Sequence, residues 1–291
     1  MMMPMTAPSR FSLFRWPVLA GLAMLVVALS LAGAQSRAVE STDFRATYAI
    51  TLGGTVIGRA SAESTFTGDS YVAAIRGSTS GVSRMVTDAT AQLSGSGRIA
   101  GMRVLPSSFE LETKENGFGT HVQMSMRAGR VTHLLAVPSL SQAADRIPVT
   151  QSHKTDVVDP LSAFLVPMDK PGLPLGRVVC DRRIKVFDGW QRFDVDLYFK
   201  GMKAVDGGAD TYAGQVVVCG ARFIPVAGHR TGGQSINDLV DNDRAEVWLV
   251  PIGKSALLVP YRIVLGTSWG DLVVFATRFT ATGAEQRASL N

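Results

Sequence analysis

Cysteine, histidine and aromatic side chains are all scarce in this chain of 291 residues, and each scarcity narrows what it can be. Aromatics make up 8% and are scattered, which leaves no stacking platform for single-stranded nucleic acid. The four histidines, His121, His133, His153 and His229, form no H-x-H or H-E-x-x-H pattern and no cluster with cysteine, so no metal site is expected. His121 falls at a polar position of a strand-like run and reads as solvated, while His229 lies in a loop where it could touch a ligand. The densest acidic cluster, Asp238, Asp241, Asp243 and Glu246, lacks the spacing and glycine of a calcium loop and reads as a solvated turn. The formal charge of +5 is spread along the chain, which gives no basic patch for nucleic acid.

Long hydrophobic runs are also missing. The longest, Val18–Leu31, has 14 residues, short of the roughly 20 that span a membrane but suited to the apolar stretch of a secretory leader. Arg10 and Arg15 precede it without any acid, and Ala32-Gly33-Ala34 follows with small residues where a signal peptidase reads. The expectation is a signal peptide over 1–34, cleaved before Gln35, with a second small-residue site after Ala38 and an uncleaved anchor as the alternative. A lipoprotein is excluded because no cysteine follows the small residues before Cys180. Cleavage leaves 27 of the 29 basic residues against 24 acidic ones, and one β-rich periplasmic domain over 35–291 that does not span the membrane.

In an oxidising compartment the only two cysteines, Cys180 and Cys219, can pair in one way. They adjoin strand-like segments 182–187 and 221–226, so the bond is expected to tie two strands or their ends. The alternative is a redox pair, but catalytic dithiols sit close in sequence and these do not.

What the chain does have is period-two patterning. Tyr48, Ile50 and Leu52 alternate with Ala49 and Thr51; Val122, Met124 and Met126 alternate with polar residues. Phe193, Val195, Leu197 and Phe199 alternate with Arg192, Asp194, Asp196 and Tyr198, a pattern with one face on a core and the other in water. Gly53-Gly54, Gly68-Asp69, Gly95-Ser96-Gly97, Asn116-Gly117, Ala128-Gly129 and Asp188-Gly189 fall between such runs as turns. Asp188-Gly189 predicts a two-residue hairpin with positive φ at both positions. Asp159-Pro160 places a capping carboxylate before a first-turn proline, and Leu161, Phe164 and Leu165 share one face, which predicts a short helix over 160–166. The fold expected is all-β and mainly antiparallel: a large curled sheet forming an open barrel or β-spiral, with one short helix.

Two motifs fail on context. Gly266-Thr267-Ser268-Trp269-Gly270 matches the G-x-S-x-G of hydrolases, but a strand rather than a helix is expected after it, and no histidine follows His229. Gly95-Ser96-Gly97-Arg98-Ile99-Ala100-Gly101 is one residue too long for a dinucleotide fingerprint and lies between strands. No catalytic residue and no cofactor are therefore expected, and the protein reads as not an enzyme.

Several segments together resemble bacterial domain-of-unknown-function family 3108. They are Tyr48-x-Ile50 with Gly58, Asp159-Pro160-Leu161-Ser162, Val186-Phe187-Asp188-Gly189, Cys219 before Phe223-Ile224-Pro225-Val226-Ala227-Gly228, and Trp248 with Val259-Pro260-Tyr261-Arg262. The resemblance covers about 44–279. It implies an exported protein similar to periplasmic open β-spiral barrels with a single disulfide, which are tied to cell-envelope integrity. It supplies no catalytic residues to carry over. The function expected is non-catalytic support of the envelope by binding an envelope protein, cell-wall or lipid partner. The alternative is a carrier that encloses a lipid or other apolar molecule, with Phe164, Leu165, Phe193, Leu197, Phe199 and Trp248 as its lining.

Overall fold

The computed structural model describes residues 41–81, 88–140, 143–208, 210–253 and 255–283. The leader expected over 1–34 and the polar tail after Gly283 lie outside the described residues. The alternating segments become strands β1 (Ser41–Leu52), β2 (Thr55–Thr67), β3 (Ser70–Thr79), β4 (Ala89–Ala100), β5 (Arg103–Glu115), β6 (Phe118–Arg127) and β7 (Arg130–Val137). After a long connection come β8 (Val166–Pro167), β9 (Arg182–Phe187), β10 (Arg192–Val205), β11 (Gly214–Ala227), β12 (Glu246–Pro251), β13 (Leu257–Thr267) and β14 (Gly270–Gly283). All belong to one antiparallel sheet in the order β7-β6-β5-β4-β3-β2-β1-β14-β13-β12-β11-β10-β9, with β8 added beside β13. Sequence-adjacent strands pair because their turns allow it. Gly53-Gly54, Asn116-Gly117 and Ala128-Gly129 hold positive φ at both central positions, the geometry that matches strand twist.

The path is open: β7 and β9 are edges that do not pair with each other. Yet the two edges approach. Val122 of β6 sits 2.7 Å from where a Cβ on Gly189, just past β9, would stand, so only glycine fits there. The Trp190 indole N–H donates to the Pro138 carbonyl at the end of β7, 2.8 Å away. A strap, Thr155 to Val158, fills the seam. Thr155 bridges Arg130, Val157 N–H donates to Gly129 O (3.0 Å), and Val158 exchanges hydrogen bonds with Lys185 and Phe187 of β9. Asp156, in the left-handed region at φ 56°, sends its carboxylate to Arg103 on one side (3.4 Å) and Lys185 on the other (2.7 Å). The strap thereby covers edge N–H and C=O groups that would otherwise invite another chain.

Burial differs along the sheet. In β2 to β7 one face is buried, as with Val122, Met124 and Met126 on β6, and the other is wet. In β11 both faces are buried: Val216 and Val218 join the main core, while Val217 and Cys219 join a second cluster with Val179, Cys180, Leu249 and Leu258. A helix, Arg177–Cys180, covers that second face, and its last residue forms the disulfide to Cys219 with Cα atoms 5.4 Å apart. The bond ties a helix end to mid-strand rather than strand to strand.

Four expectations need correction. The helix expected over 160–166 is a single 3₁₀ turn, Ser162–Phe164, followed at once by β8. Further short helices, Arg177–Cys180 and Gln234–Val240, join it. On β1 the register slips between Thr47 and Tyr48, and again between Ile50 and Thr51, so Ala49 and Thr51 are buried while Ile50 and Leu52 are half-exposed. On β10 the face expected in water holds Arg192 and Asp194 as a buried ion pair. The Asp188-Gly189 hairpin is a four-residue loop with positive φ at Gly189 only, because the Asp188 carboxylate takes the N–H groups of Trp190 and Gln191.

Candidate functional site

The site is built around the chain from Asp159 to Val166, which follows the strap and runs against the sheet. Asp159 is fully buried and caps the turn: one oxygen accepts from Leu161 N–H (3.0 Å) and Ser162 N–H (2.9 Å), the other from the Ser162 hydroxyl (2.5 Å). Tyr71 of β3 completes the chain, its hydroxyl 2.6 Å from Ser162 Oγ. With Ser162 donating to the carboxylate, the tyrosine donates to the serine. Burial pushes both Asp159 and Tyr71 up from their ordinary pKa values, Tyr71 further so because the Asp159 charge lies close by. Close approach is allowed by small residues on β4. A Cβ at Gly97 would stand 2.7 Å from the Tyr71 hydroxyl and 2.5 Å from the Leu105 carbonyl. Gly95 and Gly97 of the near-miss fingerprint thus lie within β4 rather than between strands, and both allow close packing, while Gly101 falls in the turn that follows.

This anchoring aims Leu161, Phe164 and Leu165 into apolar space. Two cavities of about 190 and 160 Å³ adjoin there and share Phe164, Pro260 and Ile263 as walls. The first opens over β1 to β3, where Ala60, Ala62 and Ala73 are too small to fill it; the second lies against Ile184, Val195 and Leu197. The sheet is split beside them. The first part of β13 pairs with β8 at Leu257 and Leu258, whereas β14 beyond Phe275 pairs with β1 alone. Tyr48 spans the split, its hydroxyl donating to Pro260 O at 2.9 Å, and burial raises its pKa. Polar side chains in the walls are few, Ser64 in one chamber and Glu246 in the other. Phe164 is 39% exposed although it lies at the junction of the chambers, so the junction opens to solvent past an apolar ring.

Three of the six expected lining residues, Phe164, Leu165 and Leu197, lie on these walls. The other three do not, and each has another role. Phe193 stacks on Phe223 with ring centres 5.1 Å apart, and Phe199 lies under Arg177 at 5.2 Å. Trp248 sits between Lys203 (4.4 Å) and Arg262 (5.3 Å). Residues missed from the sequence are the alanines, whose role is to be small, and Pro260, Ile263 and Val274. Alanine at strand positions facing a core was the available sign.

The polar candidates fall elsewhere. Ser268 lies in the hairpin turn between β13 and β14, with a strand on either side, so the motif lacks the helix that would orient a nucleophile. Glu246 bonds Lys200 (3.0 Å) and the Trp248 indole (2.9 Å), while Asp238 sits on helix Gln234–Val240 and bonds Gln234, so the acidic stretch does not converge. His121 pairs with Glu110 at 3.2 Å, and Glu112 stands opposite it across the strands, which brings the three groups together on an exposed face. Among the described residues no helix is long and apolar enough to cross a membrane.

A crystal structure of a β-barrel-like protein of domain of unknown function DUF1849 from Brucella abortus is similar over 84% of this chain and 99% of that one, with 10% identity and a TM-score of 0.46. No curated protein matches the sequence. The family model described as "Protein of unknown function (DUF3108)" matches residues 44–277, within two residues of the span set by the sequence resemblance, and the chain belongs to that family.

Proposed function

We propose that this is an exported, non-catalytic binding protein that carries an elongated apolar molecule, an acyl chain in chemical class, in the paired chambers beside Phe164. The observation that carries the reading is the junction itself: two nearly unbroken apolar chambers meet at a half-exposed phenylalanine. A closed core would fill such space with side chains, since interiors pack like organic crystals. Each chamber is smaller than the several hundred Å³ of a typical ligand pocket, which disfavours a bulky ring system and suits a narrow chain that threads both. Export is supported by the leader pattern over 1–34 and by the Cys180–Cys219 bond. Holding acyl chains outside the cytoplasm links the protein to envelope integrity in the periplasm.

The test is native mass spectrometry of the mature protein, purified from its own periplasm without detergent. The reading predicts a stoichiometric extra mass that extracts as lipid and is absent from Phe164→Glu, which sets a charge at the junction. A bare polypeptide for the wild type would contradict the carrier. A deletion strain as resistant to detergent as its parent would contradict the envelope role.

A further inference from the structure

Where the two edges of the sheet meet there is a separate cavity of about 510 Å³, which shares no lining residue with the apolar chambers. Its volume falls in the range of small-molecule sites. Its walls are mainly apolar: Leu134 and Ala136 of β7, Leu140 and Ile147 of the following loop, and Phe187 and Trp190 at the end of β9. Two cations line it, Lys154 and Arg146. We infer that this seam cavity binds an anionic group, a carboxylate or phosphate, carried on an apolar body.

Neither cation is neutralised. Among the described residues no carboxylate lies within 4.0 Å of Lys154 Nζ or of the Arg146 guanidinium. Arg146 spends one N–H on the Gly228 carbonyl, while its Nε is buried without a partner. A buried N–H left unpaired is rare and calls for an acceptor. Lys154 holds its ammonium 5.9 Å from the Phe187 ring centre, so an anion beside it would meet an apolar wall as well as a charge. The nearby acids are already engaged. Asp145 pairs with Arg230 at 3.5 Å, and the Asp188 carboxylate takes the N–H groups of Trp190 and Gln191. Partial burial limits the solvent screening that weakens exposed ion pairs. The cavity exists because the sheet is open: the loop after β7 and the β9–β10 turn meet without strand pairing, and the turn Ser152–Lys154 just before the strap supplies Lys154.

The test is isothermal titration calorimetry on the mature, oxidised protein with 2-naphthoate, 2-naphthyl phosphate, the uncharged 2-naphthamide and inorganic phosphate. Phe164 does not line the seam cavity, so Phe164→Glu should leave these affinities unchanged whether or not the carrier reading survives. One anion should bind per protein, with whichever of the two binds tighter identifying the head group. Lys154→Gln should weaken it about tenfold, the worth of one charge-assisted contact, and Lys154→Arg should keep it. Arg146→Gln should also weaken it, and Lys154 serves as the independent probe if that variant fails to fold. Naphthamide or inorganic phosphate binding as tightly as the tighter of the two naphthyl anions would overturn the inference, as would Lys154→Gln without effect or neither anion binding.

Discussion

The strands on either side of β1 solve the burial problem differently. From β2 to β7 the sheet has one covered face, and its chemistry is that of simple alternation, as in Val122-Gln123-Met124-Ser125-Met126. From β11 to β13 both faces are largely covered, and β11 reads Val216-Val217-Val218-Cys219 without a polar break. The second cover is a short helix that makes little of its own stability, since four residues cannot sustain a helix alone. It stays in place through Cys180, whose bond to Cys219 replaces the packing a longer helix would supply. The two-faced half is thus a braced platform, whereas the one-faced half is a wall whose small residues leave room for the Asp159 to Val166 segment.

Breaking the brace should give the largest effect. Replacing both cysteines by serine removes a cross-link between positions 39 apart, worth about 4 kcal/mol in the chain-entropy model. In a domain of this size that lowers Tm by about 10 °C in oxidising buffer. Hydrogen exchange should quicken in Gly214–Ala227 before it does in Phe118–Arg127. Equal melting temperatures for wild type and variant would remove the brace from the account.

Loosening the segment against the wall comes next. Leu161 is buried 3.7 Å from where a Cβ on Gly95 would stand, and Leu161→Ala should cost about 3 kcal/mol by denaturant unfolding. The same variant enlarges the first chamber, so an apolar dye should bind more tightly than to wild type. A loss of stability below about 1 kcal/mol would mean the segment is not anchored there.

The smallest effect sharpens the comparison at the seam. The hydrogen bond from Lys185, helped by the charges of Lys185 and Arg103, holds the Asp156 carboxyl below the usual range. A depressed carboxyl pKa stabilises the fold above the unfolded carboxyl's titration range, and that stabilisation fades as pH falls through the folded value. Asp156 is well exposed, so solvent screening keeps the term below about 1 kcal/mol. Asp156→Asn should therefore be slightly less stable than wild type at pH 7 and equal to it at strongly acid pH. A stability difference that grew on acidification would contradict the strap's electrostatic role.

Much of the architecture was legible because it rests on local rules. The period-two runs at 122–126 and 193–199 are strands, the glycine pairs are turns, and two cysteines could form one bond. What escaped depends on parts distant in sequence. Alternation at Arg192 to Phe199 identifies two faces but not whether the polar one stays wet, and Arg192 and Asp194 end up buried. A bulge at Thr47 moves the buried positions of β1 by one residue, a change no hydrophobic pattern announces. Half the site was found because Phe164, Leu165 and Leu197 are large and apolar. Phe193, Phe199 and Trp248 share that character but pair with another ring or with cations, and Ala60, Ala62 and Ala73 line the site by being small.

The most direct test of the paired chambers is a crystal structure of the mature protein with 1-bromododecane, read from the anomalous signal of bromine. An extended chain passing Phe164 between Pro260 and Ile263, with bromine in one of the two chambers, is the expected result. A structure in which neighbouring side chains fill both chambers and the probe binds elsewhere would contradict it.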